Sequence, residues 1–170
     1  ILQDNLRLKA GDFVAEACRA SEQLSLFLYR CAAQHSFGGF GVAKHIEDLE
    51  WDIRGIREGA NDYIDVVLQR AETLYAAIGH GDAGELPLAP AQRSLFWAEW
   101  CQSAMEALVE GFSRVKNCST EGRALMSMDI QALYQGLTSL APFRGVRSRV
   151  WADSFVKAFY YGEEDVMKWI

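Results

Sequence analysis

Proline, histidine and cysteine are all scarce in these 170 residues, at three, three and four. With so few prolines, long stretches can stay helical, and a loop-rich or strand-rich fold is disfavoured. The four cysteines, Cys18, Cys31, Cys101 and Cys118, are too sparse for a disulfide scaffold, and no stretch reads as a secretory signal. The expectation is a reducing, cytosolic setting with buried thiols. No apolar run approaches the roughly 20 residues that cross a bilayer. The greasiest stretch, Leu24 to Leu28, is interrupted by Ser25 and soon meets Arg30. Positive charge is short as well: 17 Lys+Arg stand against 23 Asp+Glu, a formal net charge of −6. That balance argues against nucleic acid or an anionic membrane as a general partner.

Half the residues are apolar and 12% are aromatic, which supports a packed core and excludes wholesale disorder. The length suits one domain. The chain opens on Ile1 and stops at Trp169-Ile170 inside an apolar periodic pattern, so it is expected to be a fragment of a larger polypeptide. Acidic charge concentrates before residue 91, with a knot at Glu47-Asp48-Leu49-Glu50-Trp51-Asp52. Basic residues gather later, at Arg114, Lys116 and Arg123, then at Arg144, Arg147 and Arg149.

The spacing predicts an all-α fold: an elongated antiparallel bundle of about six helices, over residues 2–36, 42–78, 91–117, 120–140, 149–161 and 163–170. Ile46, Leu49, Ile53, Ile56, Ala60, Tyr63, Val67, Ala71, Leu74 and Ile78 recur at steps of three and four, one face of a helix. Continuous from 42 to 78, that helix is a rod of about 55 Å. Trp97, Cys101, Met105, Leu108, Phe112 and Val115 repeat the pattern. Ser119 or Thr120 caps the next helix, with Glu121 in its first turn, and Leu125, Met126, Ile130, Leu133, Tyr134 and Leu137 carry it on. Trp151, Phe155, Val156, Phe159 and Tyr160 form the fifth, with Gly162 as its cap. In the first helix the Leu24–Cys31 portion is apolar on most faces and is expected to be the most buried.

Motifs that carry chemistry do not assemble. Gly79, Gly81 and Gly84 spell G-x-G-x-x-G, but a helix precedes them and Pro87 and Pro90 follow, so the strand-turn-helix context of a dinucleotide site is missing. Cys31 and His35 share a helix face, yet zinc needs three or four ligands and no C-x-x-C exists. Both read as an ordinary buried thiol and an unrelated histidine. Glu47/Asp48, Glu50/Asp52 and Glu163/Glu164 read as solvated helix faces. There is no G-x-S-x-G, H-E-x-x-H or P-loop, and no histidine has the E-x-x-H spacing of a ferritin-like iron site. Asn117-Cys118-Ser119 matches a glycosylation sequon, which matters only in a secreted chain. No cofactor is called for.

Three stretches carry a resemblance. They are Glu50-Trp51-Asp52-Ile53-Arg54 through Tyr63-Ile64-Asp65, then Leu108 to Met126 with Val109-Glu110-Gly111-Phe112 and Val115-Lys116-Asn117-Cys118-Ser119-Thr120-Glu121-Gly122-Arg123, and last Phe155-Val156-Lys157-Ala158-Phe159-Tyr160-Tyr161. Their order and approximate spacing, with the Leu86-Pro87 loop ahead of Leu95-Phe96-Trp97, resemble the syndetin C-terminal domain family over residues 50–170. Residues 1–45 match weakly, and Gly38 to Gly41 depart from the pattern. The resemblance implies a non-enzymatic subunit of a helical-rod vesicle tether in endocytic recycling, with no cofactor. It implies other subunits of the tethering complex as partners, with SNAREs or further endosomal trafficking proteins beside them. It also implies cytoplasmic residence, peripheral on recycling endosomes or the trans-Golgi network.

Within that frame Arg114, Lys116, Glu121 and Arg123 are the candidate partner-binding residues, because a core does not require them beside a helix break. Gly122 there costs about 1 kcal/mol against Ala, so close packing or a contact is expected to justify it. Trp151, Tyr160, Tyr161 and Trp169 are further contact candidates, though each is expected inside the bundle. The competing functions are a helical bundle binding a small ligand or lipid, an enzyme with an unrecognised site, and a purely structural spacer.

Overall fold

Two left-handed glycines break the longest helix that the periodicity predicts. In the computed structural model, which describes residues 2–39, 41–55, 58–80, 88–141, 147–158 and 160, Gly55 and Gly59 both sit at φ 90°. That conformation suits glycine and ends a right-handed helix. The 42–78 rod is therefore replaced by a short helix α2 (Val42–Asp48), an extended connector, and α3 (Asp62–His80). Leu49 to Arg54 in fact alternate: Trp51 and Ile53 are buried, whereas Glu50, Asp52 and Arg54 are exposed. This is the period of an extended chain. The Ile53 and Ala60 positions fitted a helical stripe by coincidence.

The remaining helices are α1 (Leu2–Gly38), α4 (Pro90–Arg114), α5 (Thr120–Leu140) and α6 (Arg147–Ala158). Among the described residues there is no strand, so the all-α bundle expectation holds. Pro90 opens α4, where its missing N–H costs nothing. The Ser119 hydroxyl caps α5 by accepting from Gly122 N at 3.0 Å, as its sequence suggests. The helix expected at 163–170, the Gly162 cap and residues Tyr161 and Trp169 lie outside the described residues, as do 81–87 and 142–146.

α4 is the central element. Trp97, Trp100, Cys101, Met105, Leu108 and Phe112 are fully or almost fully buried, and α1, α2 and α6 pack on it. The close neighbours fix the directions. α5 returns antiparallel to α4, with Trp97 Nε1 donating to Ala141 O at 3.3 Å. α6 turns back along α5, so Arg149 stacks on Tyr134 and Arg123 on Tyr160. α3 runs beside α5, α2 beside α4. Two of these approaches need glycine: a Cβ on Gly111 would lie 2.7 Å from Ile46, and one on Gly136 would lie 2.4 Å from Leu68.

α1 corrects a further expectation. Every described residue from Lys9 to Leu28 is exposed, and the Leu24–Cys31 portion is among the least covered parts of the chain. The helix meets α4 along one narrow face, where Tyr29 is half-buried and Ala33 and Phe37 are buried. Phe37 sets its ring edge-on to Trp100 at 5.3 Å. An apolar composition says that a helix prefers cover, not which neighbour supplies it. For the same reason Cys18 and Cys31 are exposed thiols, with only Cys101 buried and Cys118 half-buried. Trp151 and Tyr160, expected inside, are 60% and 56% exposed. α6 satisfies the core with Ala152 and Val156 instead.

Candidate functional site

The segment that joins α4 to α5 is where the sequence places its candidate residues, and it is built on backbone contacts. Ser119 N donates to Trp51 O at 3.1 Å, and the Ser119 hydroxyl donates to Ile53 O at 2.8 Å. One serine therefore caps α5 and pins the extended connector. A Cβ on Gly122 would lie 2.0 Å from Trp51 O, so only glycine lets the connector approach the first turn of α5. The packing reason expected for Gly122 is present. Trp51 completes the latch. Its Nε1 donates to Ile46 O at 2.8 Å, and its ring stands edge-on to Phe112 at 5.6 Å.

The four candidate residues separate into two pairs. Arg114 ends α4 and pairs with Glu110, one turn back, and with Glu47 of α2 at 3.7 Å. Lys116 is exposed beside it. These two share a groove of about 270 Å³ with the connector and α2, lined on the facing side by Glu47, Asp48 and Glu50. Arg123 turns inward instead. It donates to Cys118 O at 3.2 Å and to Thr120 Oγ1 at 3.1 Å, and its guanidinium lies 5.0 Å from the Tyr160 ring centroid. Glu121 is half-buried in the first turn of α5. So Arg114 and Lys116 face a shared mixed-charge groove, while Arg123 ties the α4–α5 segment, the first turn of α5 and Tyr160 beyond α6 together. The acidic knot, which sequence reasoning left apart from the basic residues, forms the groove's other wall.

A buried carboxylate escaped sequence reasoning. Asp129 is fully buried and accepts from Asn61 N at 2.8 Å, Asn61 Nδ2 at 2.8 Å and Tyr63 Oη at 2.6 Å. Burial pushes its pKa upward, and the Tyr63 and Asn61 hydrogen bonds oppose the rise. Burial likewise pushes the Tyr63 phenol well above its ordinary value, with the Asp129 charge second. The signal was available: Asp129 lies four residues after Leu125 and three after Met126, a charge inside an apolar stripe. It fixes the start of α3 against α5. With its three donors inside the protein, it is a positioning group and has no approach for a substrate.

Among the described residues no group of three or more His, Cys, Asp or Glu side chains could hold a metal ion, and no helix is long and apolar enough to cross a membrane. The Cys101 thiol is pushed far up by burial, which leaves it unreactive.

Comparison with known proteins gives one family. The family described as "Syndetin, C-terminal" matches residues 1–170. The chain is similar to syndetin from Gallus gallus, 31% identical over 124 residues, which is 72% of this chain and 13% of the relative. Syndetins from Mus musculus and Rattus norvegicus are each 30% identical over the same coverage. The matched segment is thus about an eighth of these relatives' length. No solved structure matches.

Proposed function

Because the chain belongs to the syndetin C-terminal family, we propose that it is a non-enzymatic docking segment of a vesicle-tethering subunit. It acts in endocytic recycling and endosomal retrograde transport, from the cytoplasmic side of recycling endosomes or the trans-Golgi network. The family match over the whole chain carries this reading. The groove between α2, the connector and the end of α4 supports it. There Arg114 and Lys116 face Glu47, Asp48 and Glu50 across a mouth suited to a charged protein segment. Other subunits of the complex, and SNAREs or further trafficking proteins, are the partner class.

Charge reversal tests the groove. Arg114 and Lys116 are at the surface, and exposed ion pairs contribute about 0–1 kcal/mol. Arg114→Glu with Lys116→Glu should therefore leave melting nearly unchanged while weakening recruitment to endosomes several-fold. Undiminished recruitment of the folded variant removes the groove from the reading. Arg123 is left intact in this test, because reversing it would break its hydrogen bonds to Cys118 and Thr120 and its contact with Tyr160.

The rival reading, a small-ligand or lipid bundle, would use the cleft of Val42, His45, Tyr63, Val66 and Val67. That cleft measures about 220 Å³, below the roughly 300–1,000 Å³ of typical ligand pockets, whereas the hollow between α1 and α4 beside Leu26, Tyr29 and Leu95 measures about 430 Å³. Bound lipid in a native mass spectrum of the purified protein would favour that reading over docking.

A further inference from the structure

The outer face of α1 carries a heptad seam that no described residue covers. Phe13, Ala17, Ala20, Leu24, Phe27 and Cys31 follow one another at alternating steps of four and three. That is the spacing of the a and d positions of a coiled coil. Phe13, Leu24 and Phe27 are 72%, 59% and 62% exposed, and Cys31 is exposed too. The face that meets α4 through Ala33 and Phe37 lies on the opposite side of the helix, so the seam is open to a partner while α1 stays docked.

We propose that a second copy of this chain packs antiparallel along this seam, with its two-fold axis between Ala20 and Leu24. The sequence of the seam is its own complement in that register. Antiparallel coiled coils set an a residue of one helix against a d residue of the other. Here Ala20 faces Leu24 of the second copy, Ala17 faces Phe27, and Phe13 faces Cys31. Each layer joins a large side chain to a small one, which fills space without overpacking. The flanks agree. Val14 and Leu28, 58% and 57% exposed, meet across the axis on one side. On the other side Glu16 meets Arg30 of the second copy, twice by symmetry, an attraction between opposite charges that Arg30, 52% exposed, shares with its 3.4 Å pair to Glu106 of its own α4. A parallel pairing would stack Phe13 on Phe13 and Ala17 on Ala17, leaving bulges beside gaps, and would give Glu16 no basic neighbour. α4 packs on the side of α1 away from the seam, so in this pairing the two bundles are placed on opposite sides of the paired helices. The interface is separate from the α2–α4 groove, so its failure would leave the docking reading untouched.

Light scattering of the chain across a concentration series tests the pairing. A species of twice the 19.0 kDa chain mass is expected. Ala20→Glu, at an exposed position away from α4, should give a monomer with an unchanged melting temperature. Glu16→Arg should weaken the dimer about tenfold, since two attractive contacts become repulsive. Combining it with Arg30→Glu should restore the affinity. Melting curves of each variant account for the intramolecular Arg30–Glu106 pair at 3.4 Å. Register is read by oxidation. In a Cys18→Ser background, Phe13→Cys should cross-link position 13 to Cys31 of the second copy. The two Cys31 themselves lie about 27 Å apart at the helical rise and should not join. A monomer at all concentrations overturns the proposal. So does a dimer indifferent to Ala20→Glu, or one that cross-links through Cys31 to Cys31.

Discussion

At the scale of single residues, two positions do work that their side-chain class does not announce. Gly122 permits the connector to lie against α5, with the Trp51 carbonyl 2.0 Å from where a Cβ would stand. Gly122→Ala should therefore destabilise by about 2–3 kcal/mol, the upper range for overpacking, despite the better helix propensity of alanine. Urea unfolding measures this, and a stability equal to the parent would show that the connector yields easily. Asp129 holds three donors from the start of α3. Asp129→Asn would turn an N–H toward one of them and should cost about 1–3 kcal/mol. Its pH behaviour follows from the raised pKa. The folded protein keeps the proton where the unfolded chain has released it, so this contribution is complete at low pH. It is lost as pH climbs from the ordinary carboxylate value to the folded one. The amide variant should lack that decline, which urea titrations at a series of pH values will read. Of these two residues, Gly122 was visible in sequence as an unexplained glycine. Asp129 was visible only as a break in an apolar stripe, and its donors come from 66 and 68 residues away.

At the scale of elements, α4, α5 and α6 formed close to where periodicity put them; α4 and α5 each bury one broad face in the bundle, whereas α6 reaches the core only with Ala152 and Val156. The span from 42 to 78 did not, since Gly55 and Gly59 adopt φ 90° and Trp51 and Ile53 are held extended by Ser119. Apolar positions recurring every three or four residues are also met by short helix, extended chain and short helix in succession. α1 illustrates the reverse case, a helix whose outer stretch forms without cover from the bundle. Ala15→Pro should therefore reduce far-ultraviolet helicity yet shift the stability of the bundle by less than about 0.5 kcal/mol, although proline inside a packed helix costs about 3. Calorimetry distinguishes the two. Collapse of the main transition would mean that Lys9–Leu28 is coupled to the body after all.

At the scale of the whole molecule, α1 sets the long dimension. Its 37 residues span about 55 Å. A compact chain of this length has a radius of gyration of about 15.5 Å, and small-angle scattering at dilution should exceed that value. A profile matching the compact sphere would contradict the exposed outer helix. The sequence by itself determined the helical class, the apolar stripes of α4 and α5, the serine cap and the family, because these rest on local spacing and on runs of neighbouring residues. Only the tertiary structure decided where the second stripe breaks, that Arg123 turns inward while Arg114 and Lys116 face the acidic knot, and which side of α1 stays open. Those outcomes depend on which distant surface packs against a given face in the folded chain. Residues equally willing to be buried or exposed acquire their roles only when that neighbour is in place.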